Sequence, residues 1–206
     1  MMLRIHALRS DTVAEGPGRR FCVWTQGCVR HCPGCFARDT WDPDGGTKVS
    51  VAKLCALLDT SLESSPDLEG ITLLGGEPFL QARPLARFAA YARERGLSVL
   101  CFTGYTIEEL QASDDEGVAA LLCKVDVLAD GPFVQEERSF QRPWVGSRNQ
   151  RFHFLTNRYA PLDFARQRNR VEVRLRKDGS VTINGMADFF KPKSDVTSNA
   201  GRKAKR

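Results

Sequence analysis

GITLLGGEPFLQARPLARFAAYARERGLSVLCF, residues 70–102, reads as strand, turn, helix and strand in direct succession. Gly70-Ile71-Thr72-Leu73-Leu74-Gly75 is a short apolar run too brief for a helix and closed by glycine, which suits a buried strand. Gln81 to Arg95 carries apolar residues at helical spacing, and Gly96 closes it. Leu97 to Phe102 is the next strand. A strand–helix–strand unit of this length predicts a parallel pair with a crossover helix, and hence an α/β fold.

The same alternation extends on both sides. Phe21 to Thr25 (FCVWT) is strand-like and runs into a cysteine-bearing loop. Val49 to Leu58 reads as a helix with Ser50 as its N-cap. Thr106 stands three residues before Glu109, the spacing of a capping box, so a helix starts there and continues through Val118 to Cys123. Val125 to Ala129 is a fourth strand, ending at Asp130-Gly131-Pro132. Ligands of parallel α/β folds bind at the carboxyl ends of the strands, and here every unusual polar or glycine cluster follows a strand. Past residue 157 the pattern changes: Arg170 to Asn184 alternates apolar and polar residues about Asp178-Gly179, predicting a β-hairpin with a type I′ turn, as an appendage or edge addition to the main sheet. The expected organisation is a core at 1–156, an extension with the hairpin at 157–190, and a disordered basic tail at 191–206.

The chain has 206 residues and a net charge of +5. Six basic residues and one acid between Lys191 and Arg206 account for that whole charge, leaving 24 of each sign in the body. A neutral body gives no strong case for nucleic acid. No apolar run reaches the ~18 residues of a membrane span, and the N-terminus lacks the apolar stretch of a secretory signal. Seven cysteines, an odd number without such a signal, point to a reducing, cytoplasmic setting rather than a disulfide framework. Cys22, Cys55, Cys101 and Cys123 sit in apolar stretches and read as small buried hydrophobes; His6 and His153 have no metal-ligand spacing.

The other three cysteines are crowded: Gly27-Cys28-Val29-Arg30-His31-Cys32-Pro33-Gly34-Cys35, spaced C-x3-C-x2-C. Iron–sulfur clusters take thiolates, normally four. Three on one loop leave one iron open to an external ligand, the feature that separates a catalytic metal from a structural one. A zinc knuckle completed by His31 or Cys22 is the competing reading, although His31 lies cramped between two candidate ligands.

This loop resembles that of the radical S-adenosylmethionine (radical SAM) superfamily, and more narrowly the activating proteins of anaerobic ribonucleotide reductases. The resemblance spans residues 15–156: Glu15-Gly16-Pro17-Gly18, the cysteine loop, Thr40-Trp41, Leu74 to Pro78, Thr103-Gly104-Tyr105, Asp130 to Val134, and Trp144 to Gln150. It implies an open partial (β/α) barrel with mainly parallel strands, since ~250 residues are needed to close one. It implies a 4Fe-4S cluster on Cys28, Cys32 and Cys35, whose open iron chelates S-adenosylmethionine. Reductive cleavage of that cofactor gives a deoxyadenosyl radical that abstracts a hydrogen atom. Gly75, Gly76 and Glu77 are then candidates for the methionyl part, with the Glu77 carboxylate accepting from the ammonium group. Phe36 is a candidate adenine contact, Thr103 and Asp130 candidates for the ligand or a small cation, and Ser147, Arg148 and Asn149 for the rim. The implied partners are a glycyl radical enzyme, such as an anaerobic ribonucleotide reductase, and an electron donor such as flavodoxin or ferredoxin. An enzyme acting directly on a small molecule, peptide or RNA, or a non-catalytic iron–sulfur or zinc module, are the alternatives.

Overall fold

The computed structural model describes residues 1–160 and 162–186. The elements are β1 (Met2–Thr12), β2 (Arg19–Thr25), β3 (Thr47–Ser50), α1 (Val51–Ser64), β4 (Leu68–Gly75), α2 (Ala82–Glu94), β5 (Ser98–Phe102), α3 (Ile107–Gln111), α4 (Glu116–Leu122), β6 (Val127–Asp130), β7 (Arg151–Phe154), β8 (Val171–Leu175) and β9 (Val181–Gly185). Seven strands form one sheet in the order β3-β1-β2-β4-β5-β6-β7, and β8 and β9 form a second. The centre, β2-β4-β5-β6, is parallel. Antiparallel β1 and β3 flank it on one side and β7 on the other. The fold is thus mixed α/β with a parallel centre and a C-terminal hairpin.

The period-2 alternation of each central strand sorts its residues to two faces. Phe21 and Val23, Ile71 and Leu73, and Val99 and Cys101 pack against Leu54 and Leu58 of α1, Leu85, Phe88 and Ala89 of α2, and Leu121 of α4, forming the main core. The opposite face carries Leu100 and Val127 with Trp144, Tyr159 and Phe164. The side chain of Arg20 lies fully buried on this second face. It donates to Thr72 Oγ1 at 2.6 Å, the Pro17 carbonyl at 3.2 Å, Ser98 Oγ at 3.1 Å, Tyr159 Oη at 3.0 Å, and the Ile71 carbonyl. One guanidinium thereby fastens β2, β4, β5 and the chain beyond β7.

Helix boundaries follow their caps. Ser50 Oγ accepts from the Lys53 amide at 3.1 Å, but Val49 belongs to β3, where it pairs with Leu3, so the helix expected from Val49 starts at Val51. The Thr106–Glu109 capping box is formed in both directions. Asp115 caps a separate helix, α4, rather than a continuation of α3.

Three expectations change. β2 is not the first strand: β1 precedes it, its alternation broken by register shifts between Ile5 and Ala7 and between Arg9 and Thr12. Cys123 is exposed at the end of α4, while Cys22, Cys55 and Cys101 are buried. The hairpin turn is not type I′, which needs positive φ at two successive residues. Only Gly179 is positive, at +82°; its amide bonds to the Arg176 carbonyl at 3.0 Å, and Asp178 Oδ1 accepts from the Ser180 amide at 2.9 Å. Gly179 therefore occupies the glycine bulge position of a longer connection.

The hairpin does not extend the main sheet. Its polar face is fastened to the chain between Asp11 and Glu15: Glu172 accepts from the Val13 amide at 3.0 Å, Arg174 donates to the Asp11 carbonyl, and the Gly185 amide donates to Glu15 Oε1 at 2.7 Å. Val173, Leu175, Val181 and Ile183 are each more than half exposed. The tail expected at 191–206 lies outside the described residues.

Candidate functional site

The cysteine loop leaves the carboxyl end of β2 and is closed by its own two ends: the Gly27 amide donates to the Thr40 carbonyl at 2.7 Å and the Cys28 amide to the Trp41 carbonyl at 3.1 Å. It is stitched to the end of β4, because the Gly76 amide bonds to the Thr25 carbonyl at 2.9 Å and the Glu77 amide to the Gly27 carbonyl at 2.8 Å. Gly75 has a φ of +109°, and a Cβ on Gly76 would collide with the Gly27 carbonyl. The glycine pair thus lets one strand end approach the loop that carries the thiols.

Cys28, Cys32 and Cys35 are free and half-buried. Burial pushes the Cys28 thiol up, opposed by the amides of Arg30 and His31, which donate to it. The Ala37 amide donates to Cys35 Sγ at 3.4 Å, and the Cys35 amide to the Cys32 carbonyl at 3.1 Å. Between the cysteines, His31 has a φ of +44° and stacks on Trp41, with ring centroids 4.5 Å apart and planes 20° apart; Arg30 reaches Glu109 at 3.2 Å and lies 5.0 Å over the Tyr105 ring. Among the described residues no three His, Cys, Asp or Glu side chains converge as a metal-holding group. What fits an iron–sulfur cluster is the donor set: three free thiols on one loop, with backbone amides directed at two of the sulfurs.

Glu77 is completely buried. Its Oε1 accepts from the Phe79 amide at 3.0 Å and Thr103 Oγ1 at 2.8 Å, and its Oε2 from the Gly104 amide at 2.8 Å. Burial raises its pKa to about 7 despite these three donors. The structure therefore joins Glu77 and Thr103 at the ends of β4 and β5. Asp130 is held elsewhere. It accepts from the Ile107 amide at 2.7 Å and from Arg151 at 2.6 and 3.1 Å, with His153 Nε2 at 3.0 Å. Burial works against its ionisation, but Arg151, the Ile107 amide and His153 outweigh it and hold the carboxyl below its ordinary range. Ser147 and Asn149 are bound to the Val134 amide and the Pro132 carbonyl.

A cavity of about 600 Å³ opens beside the loop. Of the sequence-derived candidates, Cys35, Phe36 and Gly75 line it. Phe36 is 55% exposed, edge-on to Phe133 at 5.2 Å, with the Arg138 guanidinium 5.2 Å from its ring. The wall also contains residues the sequence did not single out for the site: Arg9, Trp24, Arg138, Phe140 and Asn184. Trp24 could have been found from the alternation of FCVWT, which places it opposite Val23; Asn184 carried no signal, because nothing local says where a hairpin docks.

Compared with known proteins, residues 14–153 match the family model described as a 4Fe-4S single cluster domain. The chain is 35% identical over 162 residues to the anaerobic ribonucleoside-triphosphate reductase-activating protein of Vibrio cholerae, covering 75% of this chain and 99% of that one. The chain belongs to this family. The activating protein of Escherichia coli strain K12 is 31% identical, covering 74% of this chain and 99% of its own, and that of Enterobacteria phage T4 is 29% identical, covering 66% and 85%. Among solved structures, QueE from Escherichia coli, at 19% identity, aligns over 52% of this chain and 54% of its own with a TM-score of 0.42. The family match ends inside β7, so the hairpin lies beyond it. No helix among the described residues is long and apolar enough to cross a membrane.

Proposed function

We propose that this activating-protein relative is a radical SAM activase that takes a hydrogen atom from a glycine of an anaerobic ribonucleotide reductase, in the cytoplasm, with a flavodoxin or ferredoxin as electron donor. Cys28, Cys32 and Cys35 hold a 4Fe-4S cluster and leave its fourth iron to S-adenosylmethionine, and the half-open side of the sheet acts as a partial barrel. One observation carries the reading: the three-thiol loop is bonded at Gly27 to the Gly76-Glu77 strand end, beside a cavity that Cys35 and Gly75 both line. When bound, the cluster supplies the electron that cleaves S-adenosylmethionine, and the resulting radical abstracts the hydrogen atom.

The chain's own residues hold and orient. The Arg30 and His31 amides donate to Cys28 Sγ and the Ala37 amide to Cys35 Sγ, the kind of backbone bonding that cluster-holding sulfurs receive. Glu77, tied to Thr103 and Gly104, fixes the β4 and β5 ends so that the Gly75-Gly76 backbone faces the methionyl part of the ligand. Phe36 offers an apolar face for adenine. Asp130 anchors the start of α3 to β6 and β7.

Anaerobic reconstitution tests the reading. The expected result is about four irons per chain, cleavage of S-adenosylmethionine on reduction, and a glycyl radical signal by electron paramagnetic resonance when the reductase is added. Cys28→Ala, Cys32→Ala and Cys35→Ala each abolish all three. One zinc per chain without cleavage, or turnover of a small molecule with no glycyl signal from any anaerobic reductase, overturns it.

A further inference from the structure

The hairpin beyond β7 has one face uncovered. Its register pairs Val173 with Ile183 and Leu175 with Val181, and alternation along each strand puts all four side chains on one face. Val173 is 56%, Ile183 58%, Leu175 78% and Val181 52% exposed. The other face, with Glu172, Arg174 and Asn184, is the one fastened to the chain between Asp11 and Glu15. A two-stranded hairpin is marginal in water unless its apolar face packs on something, and a contiguous exposed apolar patch marks a surface that a partner covers. The patch also has a definite position. Ile183 belongs to it and lines the cavity together with Gly185 and Met186. The apolar face therefore begins in the cavity wall and runs along the hairpin to Leu175 and Val181 at its tip.

Charge narrows the occupant. From residue 157 to residue 186 the sequence has seven basic residues against three acids, whereas residues 1–156 have 17 basic and 20 acidic. At the tip, Arg176 and Lys177 are exposed next to Leu175, and the one acid there, Asp178, is engaged by Ser180. Two copies stacked hairpin on hairpin would set like charges against each other. Nucleic acid would suit the charge, but the face is aliphatic and offers no ring on which a base could stack. An acidic protein surface with an apolar centre meets both requirements. We propose that the apolar face of β8 and β9 is the docking surface for such a protein, namely the anaerobic ribonucleotide reductase whose glycine enters the cavity. That identity rests on the activase reading: a glycine delivered into the cavity brings the protein surface around it onto the rim, and the hairpin is part of that rim. The hairpin lies past the family match, so the face is a feature of this chain that the match does not assign.

The test uses the full reconstituted chain with the anaerobic reductase from the same source. Initial rates of glycyl radical formation, followed by electron paramagnetic resonance, give kcat and the KM for the reductase. In Leu175→Ser the KM should rise about tenfold, the worth of burying one leucine side chain, with kcat unchanged, and adding Val181→Ser should raise it further. Met2→Ser, which removes an exposed apolar side chain from β1, should leave the KM alone. Replacing Arg176 and Lys177 by glutamine should flatten the salt dependence of association. All these positions are exposed, and unshifted melting temperatures show that each variant is folded. One KM for wild type and every variant sinks the docking face and leaves the activase standing. Leu175-dependent association with the reductase, read by sedimentation, without any radical keeps the face and sinks the activase; neither radical nor association sinks both. Two further results overturn the assignment. One is a dimer of the chain alone that Leu175→Ser dissociates, which gives the face to a second copy. The other is Leu175-dependent binding of a mixed-sequence single-stranded oligonucleotide.

Discussion

Glu77→Gln isolates the consequence of burying a carboxyl that has three donors, with the charge of Arg30 too weak an influence to offset the burial. The folded pKa lies at about 7, raised from 4.5 by burial, so the native state prefers the protonated form. A raised pKa gives stability that is full below about pH 4.5 and is lost as the pH climbs to about 7. A rise of that size corresponds to about 3 kcal/mol. Glutamine is neutral at every pH and abolishes this loss. Its oxygen still serves Phe79 and Thr103, but its Nε2 faces the Gly104 amide, donor against donor, at a pH-independent cost of about 1–3 kcal/mol. The assay is urea unfolding of the cluster-free protein at pH 4.5 and pH 8. The wild type should lose about 3 kcal/mol more than Glu77→Gln between the two. Glu15, whose carboxyl burial also pushes up, is present in both proteins and cancels. Parallel losses would refute the argument, because they would mean that the ionised carboxylate is as well solvated by Phe79, Thr103 and Gly104 as by water.

Gly76→Ala drives a methyl group into the Gly27 carbonyl; reconstituted iron per chain should fall, while the far-UV spectrum stays that of the wild type. Arg20→Met leaves Thr72, Ser98, Tyr159 and the Ile71 carbonyl short of a donor, and thermal or urea unfolding should show a loss of about 3–5 kcal/mol. Cys101→Ala, in the main core, should cost about 1–2 kcal/mol and Cys123→Ala, on the surface, under about 0.5 kcal/mol, with iron content untouched in both.

The sequence exposed what is local. The strand–helix–strand of residues 70–102, the Ser50 cap and the Thr106–Glu109 box need only neighbours a few residues away, and each stands near its expected place. β1 escaped notice because its register shifts interrupt the alternation that betrays a strand. The hairpin was legible, its turn type less so, since Asp178-Gly179 suits both a two-residue turn and a glycine bulge and only the register distinguishes them. At the site, the cysteine spacing and the glycine pair announced themselves. That Glu77 is sealed and triply bonded did not, because Thr103 and Gly104 come to it across 26 and 27 residues. Arg9 and Asn184 are 175 positions apart and line one cavity only through the docking of the hairpin.

The Arg20 guanidinium has a consequence for synthesis. Its Tyr159 hydroxyl partner lies 139 residues downstream, and Tyr159 also closes a 2.6 Å bond to Ser98 Oγ. While the chain is still emerging from the ribosome, β2, β4 and β5 can pair, yet the positive charge between them lacks one of its oxygens until residue 159 has been added. Ribosome-bound fragments in which Tyr159 has not emerged should therefore be protease-sensitive and those in which it has emerged resistant, so this cation couples synthesis of the segment beyond β7 to locking of the sheet.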